Sequence, residues 1–169
     1  VTERMKIESE VNNTKQLLER ITYTTPSFIS LYDVDNDKIL FSNKSILKAL
    51  GYTKEDIEVI QKMGKDWRDA FYHPEDLVKV QELDKNVRNL REGEITKVEY
   101  RIKNSRSKWQ WFQHTAAIFQ KRTETQPLLT INVFEDISDR KKIEEDLNKH
   151  NVEIELLYGA ARELTGTLE

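Results

Sequence analysis

Cysteine is absent from the 169 residues. That removes disulfides, thiolate metal sites and cysteinyl cofactor adducts from the chemistry open to this chain. It fits a reducing compartment, although many exported proteins also dispense with cysteine. No apolar run approaches the roughly 18 residues that a membrane-spanning helix needs, and the first residues show no signal-peptide core. The expectation is a cytoplasmic protein with no membrane segment in this stretch. An excess of one charge is missing too: 27 Lys and Arg stand against 30 Asp and Glu, a net charge of -3. The basic residues are interspersed with acids rather than gathered into a stripe, so nucleic acid is not an expected partner. No P-loop, dinucleotide fingerprint or nucleophile elbow occurs, and no nucleophile is paired with a base, so an enzyme is not expected.

What is present is a repeat. Val1–Val11 lines up with Ile137–Leu147, with Arg4/Arg140, Lys6/Lys142, Ile7/Ile143 and Glu8/Glu144 identical. The offset is about one domain length, which suggests one unit of a tandem array. Charged residues make up 34% of the chain and apolar residues 37%, lean for a globular protein. The polarity is concentrated at the two ends, so the middle can hold a core.

Residues 1–22 read as a linker helix. Ile7, Val11, Thr14, Leu18 and Ile21 recur at four- and three-residue steps, a heptad seam, and Pro26 breaks it. Phe28–Val34 and Lys38–Phe41 read as a hairpin around Asp35-Asn36-Asp37. Asn43 is placed to cap a short helix that Gly51 ends, and Thr53-Lys-Glu-Asp56 resembles a capping box. His73-Pro74-Glu75-Asp76 opens a longer helix, with Pro74 at its first position and acids at the positive end of its dipole. That helix continues through Leu77, Val80, Leu83, Val87 and Leu90 to Gly93. Three strands follow. Thr96, Val98, Tyr100 and Ile102 alternate with Lys97, Glu99, Arg101 and Lys103. Lys108–Phe119 is aromatic-rich, and Leu128–Ile137 puts Leu129, Ile131 and Val133 on one face. A last helix over 139–169 carries Ile143, Leu147, His150, Ile154, Leu157, Ala161, Leu164 and Leu168 on an unbroken four-three seam.

In this order stand Asn43, Leu50-Gly51-Tyr52, Trp67, His73-Pro-Glu-Asp-Leu77, Glu99-Tyr-Arg-Ile102, Trp111 and Asp136-Ile-Ser-Asp-Arg-Lys141. Together they resemble a PAS domain with its C-terminal PAC segment over roughly 23–142. Two departures stand out: Arg106-Ser107 replaces the family's usual Asp-Gly turn, and the loop Lys121–Gln126 lacks a glycine. The resemblance implies an α+β PAS fold at 23–138: a five-stranded antiparallel sheet with short helices on one face, flanked by N- and C-terminal coiled-coil-type helices. It implies a non-catalytic sensory or dimerisation module of a signal-transduction protein such as a histidine kinase of a two-component system. Homodimerisation would run through the terminal helices, with PAS, GAF or kinase modules adjacent. Asp136, Ile137, Ser138 and Arg140 would form the junction that passes a change in the sheet to the helix seam. The alternative is a passive dimerisation spacer with a filled core and no ligand.

Leu31, Phe41, Trp67, Phe71, Tyr100 and Trp111, with Phe28 and Phe134, are candidates to line a ligand cleft between sheet and helices. The same residues are equally what a filled core of this size requires, and that reading is preferred. Without cysteine, the flavin-adduct photochemistry of LOV-type PAS domains is excluded. A non-covalent flavin or another small molecule stays open, with no residue demanding either. His73 reads as a helix cap, His114 as a strand histidine without ligand partners, and His150 as a polar seam member with a pH-sensing titration range. Asp33, Asp35 and Asp37 read as solvated turn carboxylates rather than a calcium site.

Overall fold

The alternation over 96–103 becomes a strand in a computed structural model that describes residues 3–62 and 70–166. The element order is α1 (Glu3–Thr24), β1 (Phe28–Asp33), β2 (Lys38–Ser42), α2 (Ile46–Ala49), α3 (Lys54–Lys62), a 3-10 turn (Pro74–Asp76), α4 (Leu77–Asn89), β3 (Ile95–Lys103), β4 (Trp109–Gln120), β5 (Leu129–Asp136) and α5 (Ser138–Gly166). The described strands form one five-stranded sheet in the order β2-β1-β5-β4-β3, antiparallel throughout. The chain divides into two compact units, Val1–Asp136 and Ile137–Glu169.

Directly paired residues of an antiparallel ladder project to the same side, so the register sorts the sheet into two faces. One face carries Phe28, Ser30 and Tyr32 of β1, Thr130, Asn132 and Phe134 of β5, Phe112, His114 and Ala116 of β4, and Val98, Tyr100 and Ile102 of β3. The helices pack here. Leu50, Ile60, Phe71 and Val80 close over Tyr100 and Phe112, while Leu83 and Val87 of α4 close over Ala116. The three-four spacing of Val80, Leu83 and Val87 puts all three on the buried stripe of α4. The other face carries Ile29 and Leu31, Ile131 and Val133, Phe41, and Arg101 with Trp111.

Several local signals act as the sequence indicates. Thr53 and Asp56 form the reciprocal box, the Thr53 N–H donating to Asp56 Oδ2 at 2.9 Å and the Asp56 N–H to Thr53 Oγ1 at 3.1 Å. His73 caps through Nδ1, which accepts from the Glu75 N–H at 3.3 Å. Gly51 ends α2 in the left-handed region at φ +86, where a Cβ would lie 2.6 Å from Ser105 Oγ.

Other positions differ, each for a stated reason. The helix cap after the hairpin is Ser45, which accepts from the Lys48 N–H. Asn43 instead ties the exit of α1 to β1: its Oδ1 accepts from the Ile29 N–H at 2.7 Å, and its Nδ2 donates to the carbonyls of Thr22 and Ser27. The Arg106-Ser107 turn takes the left-handed conformation at Ser107, φ 59. Asn104 Oδ1 braces it by accepting from the N–H groups of Arg106 and Lys108, both at 3.0 Å. Asp33 is buried rather than solvated, because Oδ1 accepts from the Asp35 and Asn36 N–H groups and Oδ2 from the Asn36 amide.

Asp76 is fully buried at the outer edge of β3. It accepts from the Arg101 backbone N–H at 3.0 Å, from Arg101 Nε at 2.8 Å and from Lys79 Nζ at 2.8 Å. Burial by itself pushes this carboxyl up; the hydrogen bonds from Arg101 and Lys79 outweigh it and hold the group at about 2. The guanidinium lies 5.0 Å from the centre of the Trp111 ring, a cation–π contact.

In the second unit, α5 runs 29 residues. Ile143, Leu147, Ile154 and Leu157 are all exposed on it, from 48% to 68%. His150 Nδ1 lies 3.0 Å from the Asp146 carbonyl one turn back. Leu164 falls within α5, its side chain outside the described set.

Candidate functional site

The helices do not close evenly over the sheet. At the end of β5 next to the β1–β2 turn, a cavity of about 360 Å³ remains. Its floor is Tyr32 of β1, His114 of β4, and Thr130 and Asn132 of β5; its roof is Leu83, Asp84, Val87 and Arg88 of α4; Val34, Asp35 and Asp37 close its side.

The floor is a hydrogen-bonded chain. Asn132 Nδ2 donates to Thr130 Oγ1 at 3.2 Å and to the Thr130 carbonyl at 3.4 Å. That orients the amide so that Oδ1 faces His114 Nε2 at 3.0 Å. A carbonyl oxygen only accepts, so the proton sits on Nε2 and Nδ1 is left as an acceptor. The ring stacks on Phe134, centroids 4.1 Å apart, and meets Tyr100 edge-on at 6.0 Å. Burial pushes the imidazole down to about 4, against smaller upward pulls from Asn132 and from the Asp84 carboxylate. His114 is therefore neutral near pH 7.

The rim is fastened by Asp35. Its Oδ2 accepts from Arg122 Nε and from the Leu128 N–H, each at 2.9 Å, and Arg88 Nη1 stands 4.0 Å from Oδ1. Asp37 accepts the Tyr32 hydroxyl. The turn thus grips both the loop before β5 and helix α4. Among the described residues no group of three His, Asp or Glu side chains could hold a metal ion.

The structure divides the aromatic set singled out in the sequence. Phe71 and Tyr100 are buried in the core at 7% and 0% exposure. Leu31, Phe41 and Trp111 stand on the opposite face of the sheet, Leu31 paired with both Phe41 and Ile131, and Trp111 with Arg101. Trp67 lies outside the described residues. None of the five described members lines the cavity. His114, Asn132, Thr130, Asp84 and Arg88 are among the residues that line it, and no motif in the sequence marks them as a group. Their signal is the pair of polar residues, Thr130 and Asn132, alternating with the apolar Leu129, Ile131 and Val133 in the first half of the strand. At the end of that strand, Gln110 Nε2 lies 3.4 Å from Asp136 Oδ2. Ile137 is buried, Ser138 opens α5, and Arg140 pairs with Glu144 one turn on at 3.3 Å.

A family model described as PAS fold matches residues 39–133, more than half of the chain. The chain belongs to the PAS-fold family. Among solved structures, the PAS domain is similar to a sensory box histidine kinase/response regulator from Burkholderia thailandensis E264, with a TM-score of 0.57 and 18% identity over 83% of this chain and 96% of that one. It is also similar to the PAS domain of an HTR-like protein from Haloarcula marismortui, with a TM-score of 0.51 and 17% identity over 79% and 99% of the two chains. At such identities the likeness speaks for the fold. No curated protein matches the chain by sequence.

Proposed function

We propose that this PAS domain is a non-catalytic sensory module of a signalling protein, that its cavity takes a small ligand, and that α5 carries the response as one strand of a parallel coiled coil. The cavity supports the sensory part: about 360 Å³ lies in the range that small-molecule sites occupy, and the polar groups that converge on it, His114, Thr130 and Asn132 among them, are the kind such sites use for selectivity. The similarity to a sensory box histidine kinase/response regulator agrees with a place in signal transduction. The exposed seam of α5 supports the coiled coil, because an apolar stripe along a helix of this length needs a partner. Asp136, Ile137, Ser138 and Arg140 join the last strand to that helix, and a few kcal/mol between two helix arrangements is enough to bias an output. Cytoplasmic placement and a kinase-type parent belong to the same reading.

The filled end of the core, where Tyr100 and Phe112 have almost no exposed surface, favours a second reading, a passive dimerisation spacer. Native mass spectrometry of the purified chain separates the two. A co-purifying compound in the cavity is expected of the sensor, and a bare chain of the spacer. The same measurement reports the oligomer: a dimer is expected, and Leu147→Asp should convert it to monomer without unfolding the PAS body. A Leu147→Asp chain that stays dimeric would remove the helix seam from the assembly.

A further inference from the structure

We propose that the β1–β2 hairpin is a lever with the cavity wall at one end and α1 at the other, which gives the domain a mechanical connection through its N-terminal helix besides α5. α1 has no basic residue in its own last turn; side chains at the end of β2 bond its exit instead. Asn43 is seated on β1, its Oδ1 accepting from the Ile29 N–H at 2.7 Å and its N–H donating to the Ile29 carbonyl at 3.0 Å. Its Nδ2 then donates to the carbonyl of Thr22, in the last turn of α1, and to that of Ser27. Lys44 Nζ donates to the Thr25 carbonyl and stands 5.8 Å from the centre of the Tyr23 ring. A helix ends in partly negative carbonyls, and an amide or ammonium donor there is stabilising. The described side chains of α1 are exposed from Glu3 to Ile21, so within one chain these bonds, not packing, set its direction.

The other end of the same hairpin walls the cavity with Tyr32, Val34, Asp35 and Asp37. Asp33 stiffens the turn by accepting from the Asp35 and Asn36 N–H groups, and Asp35 fastens it to Arg122 and to the Leu128 N–H. From Asp37 to Asn43 the chain covers about 20 Å as extended strand. β2 is an edge strand, exposed at all five residues and bonded to β1 alone among the described strands. The opposite edge is pinned from outside: at β3 the His73 N–H donates to the Arg101 carbonyl and Asp76 accepts from the Arg101 N–H, each at 3.0 Å. A displacement of the cavity-side turn is therefore passed along β2 to Asn43 and Lys44 instead of being absorbed by a further neighbour. The lever needs the wall of the cavity, not a particular occupant.

The chain has no cysteine, so Asn12→Cys on α1 and Lys97→Cys on β3, both at exposed positions, give a single pair of spin labels. Pulsed dipolar spectroscopy, with the labelled chain diluted in excess unlabelled chain, reads α1 against the sheet within one molecule. One narrow distance distribution is expected. Asn43→Asp keeps an acceptor for the Ile29 N–H but has no donor for the Thr22 and Ser27 carbonyls, and Lys44→Met keeps the stem without the charge. Each should broaden the distribution to about twice its width as α1 samples more orientations. A second pair within the body, Lys85→Cys with Lys97→Cys, should not change, which separates a loosened joint from a loosened fold. Asp35→Asn and Arg122→Gln loosen the cavity end of the hairpin and should shift the α1 distance from there. A distribution already broad before either joint residue is altered, or one that neither Asn43→Asp nor Lys44→Met widens, overturns the joint. An α1 distance indifferent to both cavity-end variants overturns the lever, leaving α1 fixed at a joint that the cavity does not reach.

Discussion

Phe112 and His114 are neighbours on the same face of β4, about 7 Å apart along the strand, yet they sit in different media. Around Phe112 the face is solid: Tyr100 pairs across the ladder, Phe28 meets it at 6.4 Å, and Leu50, Phe71 and Val80 close above. Around His114 the face is polar and partly empty, and Thr130, Asn132 and the imidazole satisfy one another in a line. A buried polar group costs free energy unless it is bonded. The chain of bonds removes most of that cost without filling the space. One end of the sheet face is filled by packed side chains, and the other keeps its polar groups bonded around a space.

The largest effect should come from breaking the solid end. Phe112→Ala deletes a ring with 1% exposure and should cost about 3–5 kcal/mol, read as a lower urea midpoint with an unchanged slope. A loss below about 1 kcal/mol would mean that the two ends are packed alike after all.

The two ends should also titrate apart. His114 has a folded pKa of about 4 against 6.5 for the free group. The unfolded chain therefore gains a proton that the native chain refuses as pH falls from 6.5 to 4. Stability is full above 6.5 and declines across that window by roughly 3 kcal/mol. Asp76, beside the solid end, is depressed to about 2 from 3.8. Its contribution is full above 3.8 and is lost as pH falls toward 2, by roughly 2 kcal/mol. His114→Gln should flatten the first step alone and Asp76→Asn the second alone, in urea titrations at stepped pH. A single acid transition that neither variant alters would erase the distinction.

How far the sequence foretold this depends on how far apart the partners lie. The β3 alternation, the Thr53 box, the His73-Pro74 helix start and the Gly51 stop all act over a few residues and were legible. Asn43 was read as a cap because caps are local; its actual partners lie at Thr22, Ser27 and Ile29, on chain that only the fold brings near. The Thr130–Asn132–His114 line is of the same kind, joining two strands across 18 residues. The aromatic set was split by parity. Trp111 and Phe112 are adjacent, so only one can face the helices. Aromaticity alone does not choose between them; the pairing of Phe112 with Tyr100 does.

The smallest effect tests whether the solid end tolerates a local insult without the cavity noticing. Gly51 has φ +86, and a Cβ there would meet Ser105 Oγ at 2.6 Å. A hydroxyl on a side chain can rotate away, so the conformational term dominates, and Gly51→Ala should cost about 1–2 kcal/mol. Leu50, next in the chain, belongs to the cluster around Phe112 and not to the cavity wall. The variant should therefore lower the melting temperature while leaving the pH 6.5-to-4 step at full size. If that step shrinks with it, strain at one end of the face reaches His114, and the polar end is held in shape by the solid one rather than merely placed beside it.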